Sequence, residues 1–329
     1  MITLAEEPGF DFGSGEYRVF FSRFGLTPFQ HPDWLAPFYR RLPSSAGHLP
    51  LILVGRAADT GELRCVIPLL RDDRGVRPRI AFASLGVTDY AAPVLHPLAS
   101  TGLALRPLLE DLVGEHDLDL GPIRHDHLPL WAQLCGPLPA VPLEYGTHAV
   151  PVSGPAAAWR KSTYGTRLRA LRRKARRMSE LGDLRLEIVE GSDAAAAMAQ
   201  AATFRVGRFD GDPLQVKASA AFYAEVAASE GGLARTFLLR SGGGLAAIMF
   251  GLVHGRRFHY VVLACNYAGF ARFSPGLMIL DMAIEHWIGA GGDVFDFTIG
   301  DEPFKAAFGC TRTPMYTIST AGPPAGGSP

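Results

Sequence analysis

Apolar positions along this chain keep two rhythms, and the second half shows both most plainly. Three successive runs, ARTFLLR (234–240), LAAIMFGLV (245–253) and FHYVVLA (258–264), are divided by the turn sequences SGGG and HGRR. Runs so short and so continuously apolar predict strands covered on both faces. After the loop NYAGFARFSPG (266–276) the rhythm changes: Leu277, Leu280, Ile284, Trp287 and Ile288 recur at helical spacing, and Gly291 and Gly292 close the helix. VFDFTI (294–299) then predicts a strand with Phe295 and Phe297 on one face and Asp296 on the other, and MYTIST (315–320) predicts the last strand. Ahead of these lie one long helix over 155–181 and two more over 192–209 and 216–231.

The first half reads more simply. TPFQHPDWLAPFYRRL (27–42) predicts an aromatic-rich helix, and LPLILVGR (49–56) with LRCVIPLLR (63–71) a hairpin about the DTGE turn. RIAFASL (79–85) is a further strand. STGLALRPLLEDLVGEH (100–116) is a helix capped by Ser100 or Thr101, and DLDLGPI (117–123) a short strand. Strand, loop, helix and strand thus follow one another twice. Tyr90-Ala91 matches Tyr267-Ala268, Asp119 matches Asp296, and each tyrosine stands 29 residues before its aspartate. Equal order and equal spacing predict two copies of one domain, of which only one need keep the chemistry.

Composition narrows the picture. The 329 residues are 48% hydrophobic with no net charge, so no overall field recruits nucleic acid or a membrane. Residues 1–154 hold 12 basic and 17 acidic side chains, and residues 155–329 hold 20 and 15. One segment, WRKSTYGTRLRALRRKARRMSELG (159–182), causes most of that imbalance, with nine Arg and Lys between Arg160 and Arg177. Leu168, Leu171, Ala175 and Met178 give it one apolar face and leave the other strongly positive. Such a face is either solvated, a seat for a phosphate-bearing ligand, or a membrane-surface contact. Four scattered cysteines fit a reducing, cytoplasmic setting, and no spacing predicts a metal site, RHDH (124–127) included. No apolar stretch approaches the length of a membrane span, and the Gly/Pro-rich residues 321–329 read as a disordered tail.

ARFSPGLMILDMAIE holds the sharpest local signal. Pro275-Gly276 opens a helix straight after a strand, and free N–H groups there attract anions, with Arg272 close in sequence. An ordinary capped helix and a diphosphate site both satisfy this pattern. No GxGxxG or GxxxxGK[ST] motif accompanies it.

FSPGLMILDMAIEHWIGAGGDVFDFTIGDEPFKAAFG resembles the C-terminal signature of the BioF2-like or CelD-type (cellulose-biosynthesis) acetyltransferases, a branch of the GNAT superfamily. TPFQHPDWL, DYAAPVL and FRVGRF resemble further motifs of that branch in the same order, so the likeness spans roughly 27–309. Two departures stand out: Phe304 occupies a position often held by tyrosine, and the Q/R-x-x-G-x-G/A loop of ordinary GNAT enzymes is missing. The family is similar to Fem-type transferases with two GNAT-like domains in tandem.

The resemblance implies an α/β (α+β) fold of two tandem GNAT-like domains, 1–154 and 155–320, with mixed, mostly antiparallel sheets flanked by helices. It implies acyl transfer from acetyl-CoA or another acyl-CoA to an amine or hydroxyl of a small-molecule, polysaccharide or peptide acceptor. Aminoacyl transfer from tRNA and a non-catalytic ligand-binding role are the rivals. In that frame Asp296, Asp301 and Glu302 are candidate bases, and Tyr260 and Tyr267 candidate acids for the departing thiolate. Arg272, Ser274, Pro275, Gly276, Leu277 and Lys305 are candidate donor contacts. Asp89, Tyr90 and Arg208 are candidate substrate contacts. Against these roles, Asp296 can simply bridge to Arg272 or Lys305, and the other acids can be solvated loop residues.

Overall fold

The computed structural model describes residues 2–97, 105–136, 138–165 and 167–320. The proposed Ser100 or Thr101 cap, the side chain of Leu168 and the tail 321–329 lie outside the described residues. The chain forms two compact units, one from residues 1–146 with 313–329 and the other from residues 147–312.

In the first unit the elements are β1 (Ile2–Glu6), α1 (Gly15–Phe24), α2 (Pro32–Ser45), β2 (Leu49–Ala57), β3 (Leu63–Asp72), β4 (Arg79–Phe82), β5 (Val94–Leu95), α3 (Leu105–Val113), β6 (Asp117–Asp119), β7 (Ile123–Arg124) and α4 (Leu128–Cys135). The long strand β8 (Ala140–Pro151) leads into the second unit. The first sheet runs β1-β2-β3-β4-β6, with β5 also on β3. It is antiparallel except where β4 and β6 run parallel, with Arg79, Ile80 and Ala81 opposite Asp117, Leu118 and Asp119. Its core gathers Leu51, Leu53, Ile67, Phe82, Leu109 and Trp131.

The second unit holds α5 (Ala156–Tyr164), α6 (Arg167–Ser179), β9 (Arg185–Val189), α7 (Gly191–Arg205), α8 (Lys217–Ala227), β10 (Ala234–Ser241), β11 (Gly244–His254), β12 (Arg257–Cys265), α9 (Tyr267–Phe270), α10 (Pro275–Gly289) and β13 (Val294–Ile299). Strand β14 (Thr311–Ile318) returns to the first unit, where it pairs with β7. The second unit's strands run β8-β13-β12-β11-β10-β9. Again one pair is parallel: Arg257, Phe258 and His259 of β12 lie opposite Val294, Phe295 and Asp296 of β13. Helix α10 covers one face, with His286 against Phe237 and Trp287 against Phe258. On the other face Tyr223 of α8 meets Phe250. Cover on both faces explains why β10, β11 and β12 lack polar alternation.

The long helix expected over 155–181 is two helices. Gly165 breaks it at φ 51°, ψ −121°, a conformation that a Cβ would disfavour. Leu171, Ala175 and Met178 of α6 nonetheless pack on the core, as the apolar spacing predicts. β1, β5, β8 and β9, with helices α1 and α4, have no counterpart among the elements the sequence predicts.

Candidate active site

The site is built where β12 and β13 part. Their ladder stops after three residue pairs, at His259 and Asp296. At that point Asp296, wholly buried, accepts from Arg257 Nη1 at 2.8 Å and from the Thr298 N–H at 2.8 Å. His259 Nε2 lies 3.9 Å from the same carboxylate. A buried carboxylate requires such partners. Arg257 thus replaces the Arg272 or Lys305 bridge expected from sequence. Beyond Asp296 the register of β13 against β8 slips, Thr298 turns to φ 54°, and its Oγ1 donates to the Tyr260 carbonyl at 2.8 Å. Positive φ is strained for a β-branched residue, and this side-chain bond takes the place of the backbone ladder between β13 and β12 at Tyr260.

Tyr260 stands just past the parting, half-buried. Burial, and after it the charge of Glu302, holds its phenol well above the ordinary tyrosine range. Tyr267 opens α9 and is 40% exposed. Its hydroxyl is raised by burial and by the neighbouring Cys265 thiol, itself pushed up to about 11 by burial. Arg208 sits over the Tyr267 ring, 4.0 Å from its centroid, so two sequence candidates come together here. The sequence reading missed Arg205. Its guanidinium grips the buried Asp212 through Nε and Nη2, at 2.8 and 3.0 Å, and donates through Nη1 to the Leu263 carbonyl at 3.0 Å. It thereby ties the end of α7 to β12. An arginine in the last turn of α7, seven residues before an aspartate, was the available signal.

Helix α10 begins beside the free end of β12. Ser274 adopts a left-handed conformation (φ 54°, ψ 61°) and Pro275 follows at the first helical position. The first intrahelical bond runs from the Met278 N–H to the Ser274 carbonyl, so the N–H groups of Gly276 and Leu277 precede it. A Cβ on Gly276 would come within 3.2 Å of the Leu263 Cδ2 and 3.3 Å of the Cys265 Sγ. The absence of a side chain is what seats this turn on the strand. Leu277 packs partly against the core. Arg272 is exposed, 4.7 Å above the Phe273 ring. Lys174 of α6 donates to Ser274 Oγ at 2.5 Å, which brings a second cation to the same helix end. Lys174 belongs to the basic run, and only the fold brings it to this turn 100 residues away.

The acids after β13 divide. Asp301 accepts from Arg312 Nε at 3.0 Å and lies 2.7 Å from His148 Nε2, a histidine on β8 that the sequence reading passed over. Glu302 is half-exposed, with Lys305 Nζ at 2.9 Å. Lys305, expected at a donor phosphate, is instead buried. Its ammonium donates to the carbonyls of Ile299 and Gly300 at 2.6 and 2.8 Å, so it holds the backbone after β13. The Phe304 ring packs against Phe297. Arg160, placed at the head of the basic run, is also committed: it grips Asp281 of α10 through two bonds of 2.8 and 2.7 Å. Asp89 and Tyr90 lie in the first unit, where Tyr90 is fully buried and its carbonyl accepts from Gln30. Among the described residues no group of three or more His, Cys, Asp or Glu could hold a metal ion. Nor is any helix among them long and apolar enough to cross a membrane.

Residues 165–306 match the family described as Acetyltransferase (GNAT) domain. No curated protein matches the chain in sequence. Among solved structures, L-PGS from Bacillus licheniformis superimposes with a TM-score of 0.59 at 12% identity, over 92% of this chain and 90% of that one. FemX gives 0.56 at 12% identity, over 89% and 96%. A tandem GNAT protein from the clavulanic acid biosynthesis pathway gives 0.50 at 14% identity, over 98% and 99%. At such identities the likeness carries the fold. This chain has a mixed α/β fold of the tandem GNAT kind, with two sheets flanked by helices.

Proposed function

We propose that the second unit transfers an acyl group from a phosphate-bearing thioester, acyl-CoA in the simplest case, to an amine or hydroxyl acceptor. One observation carries this reading: the backbone ladder between β12 and β13 ends after three pairs, and the start of α10, with Lys174 at Ser274, lies along the end of β12 beyond it. The N–H groups of Gly276 and Leu277 suit an anion, and Lys174 and Arg272 add charge beside them. The finer likeness to CelD-type enzymes is supported by the motif series, and the similarity of that branch to Fem-type transferases keeps an aminoacyl donor as the second reading.

The donor supplies an activated acyl carbonyl. Backbone N–H groups of β12, released from β13, are available to the developing oxyanion. The acceptor nitrogen or oxygen forms the new bond to carbon, the carbon–sulfur bond breaks, and the thiol is released. Glu302, the exposed acid just after β13 with Lys305 Nζ beside it, takes the acceptor proton, directly or through water. Tyr260 gives its proton to the thiolate, and the proton held by Glu302 restores the phenol through water, so both groups return to their starting state. The raised pKa of Tyr260 keeps it protonated throughout the neutral range, so on this reading it adds no alkaline limb to the rate until above pH ~10.

Two sets of variants test the proposal. In thermal-shift measurements, acetyl-CoA should stabilise the wild type, while Gly276→Glu and Arg272→Glu should abolish the shift. With acetyl-CoA and a panel of primary amines, Glu302→Gln and Tyr260→Phe should keep the shift and lose roughly 10²-fold in thiol release. An undiminished shift in the α10 variants would move the donor elsewhere, and unchanged turnover in the others would remove Glu302 and Tyr260 from the chemistry.

A further inference from the structure

Helix α6 has a face that the acyl-transfer reading leaves unexplained. Arg169, Arg172, Arg173, Arg176 and Arg177 are all exposed. Among the described residues none of the five guanidinium groups has an ion-pair or hydrogen-bond partner. Their neighbours in the same helix fix its place. Leu171, Ala175 and Met178 pack on the core, and Lys174 reaches Ser274 at the start of α10. The helix that carries the row is therefore held in place, the row is about 12 Å long at 1.5 Å per residue, and it adjoins the turn assigned to the donor phosphate.

We propose that this face docks an acidic carrier protein that presents its acyl group on a phosphopantetheine arm. The inference deepens the acyl-transfer reading and rests on it. Acyl-CoA would bring a diphosphate and one further phosphate; Lys174 and Arg272 meet the first at the start of α10, and five arginines along about 12 Å of helix are more cationic surface than the single remaining phosphate covers, which points to an anion larger than the free donor. Arginines three and four residues apart form one ridge, and each guanidinium can pair with a carboxylate through two parallel bonds. Two other polyanions fit less well. No aromatic residue lies between Arg169 and Arg177 to stack a nucleotide base. The apolar side of α6 is spent on the core, so nothing remains on it to enter a bilayer. The step itself is the one already written, with the arm's sulfur as leaving group and its thiol as product.

The test uses the full chain and an acetyl-loaded acidic acyl carrier protein as the probe, with binding measured by calorimetry at two salt concentrations. A single-stranded oligouridine and phosphatidylcholine vesicles containing phosphatidylglycerol serve as rival probes. The expected result is carrier binding that weakens with salt and falls at least about tenfold in the double variant Arg172→Glu/Arg176→Glu. Both sites are exposed, and an unchanged melting temperature confirms that the variant folds. Tighter binding of the oligonucleotide or the vesicles, carrier binding indifferent to charge reversal, or no binding of any probe would each overturn the docking proposal. The acetyl-CoA thermal shift separates the two readings. A shift retained without carrier binding removes only the docking surface. Carrier binding through α6 without any acetyl-CoA shift, in wild type and variant alike, removes the α10 donor site instead.

Discussion

The segment from β4 to β6 and the segment from β12 to β13 are the same device in two conditions. Each joins two parallel strands paired over three residues. Each opens with an arginine that forms an ion pair with an aspartate two positions along the opposite strand, Arg79 with Asp119 and Arg257 with Asp296. Beyond the clasp they diverge. In the first unit the chain after β4 folds back inside: Tyr90 and Ala91 are fully buried, the Ala91 N–H donates to the Pro122 carbonyl at 2.7 Å, and Trp131 Nε1 donates to the Ala91 carbonyl at 3.2 Å. In the second unit Tyr267, Ala268, Gly269 and Arg272 are exposed. Among the described residues no backbone bond joins 266–274 to 300–304 there. One copy buries the segment after its first parallel strand with its own backbone and a tryptophan, and the other leaves residues 267–269 and Arg272 exposed. The comparison also reassigns Asp296: a carboxylate that holds the base of the parallel pair in both copies is a clasp first.

The closure of the first unit is the most costly feature to disturb. Trp131→Ala should destabilise that unit by about 3–5 kcal/mol, the usual loss for a fully buried aromatic. Hydrogen exchange should report the loss in β4 and β6, while the acetyl-CoA shift assigned to α10 stays as in wild type. If exchange in β4 remained slow, Trp131 would not be the residue that closes the segment. Next in size is Asp296→Ala, at about 3 kcal/mol, because the side chain is 1% exposed and its loss strands Arg257 and the Thr298 N–H. Faster exchange in β12 and β13 would show the clasp. Full stability together with lost turnover would instead return Asp296 to the chemistry.

Much of this comparison was legible in the chain, and the part that was not has a physical cause. The Tyr-to-Asp spacing of 29 residues exposed the repeat because both copies keep the strand–helix–strand frame. The alternation of 294–299 placed Asp296 opposite Phe295 and Phe297, since side chains of a strand alternate whatever covers them. Its partner was not legible. Arg257 lies 39 residues away, and only the parallel register brings it opposite. The same limit hid His148 beside Asp301 and Lys174 beside Ser274, which are separated by 153 and 100 residues. Lys305 misled for a different reason: a lysine near a strand end reads as a surface cation. Here the left-handed Thr298 and Gly300 turn carbonyls inward that an ammonium must satisfy. The break at Gly165 was in plain view, but the apolar spacing continues past it and argued for one helix.

The smallest effect tests the comparison most sharply. Asp119 accepts from Thr317 Oγ1 at 2.8 Å and pairs with Arg79, as Asp296 does with Arg257. Yet Asp119 is 25% exposed and Arg79 54%, against 1% and 31% in the second unit. Water reaches about half of the Arg79 side chain and a quarter of Asp119, so removing the carboxylate leaves a guanidinium that is already solvated, and Asp119→Ala should cost no more than about 1 kcal/mol. High salt should weaken the wild-type contribution further and leave that of Asp296 nearly unchanged, since screening acts on exposed charges. Local hydrogen exchange is the suitable readout, because two units need not unfold together. Equal losses at the two positions would mean that burial does not set the strength of the clasp. The contrast between a closed and an accessible copy would then have to rest on Trp131 and the buried Tyr90 segment alone.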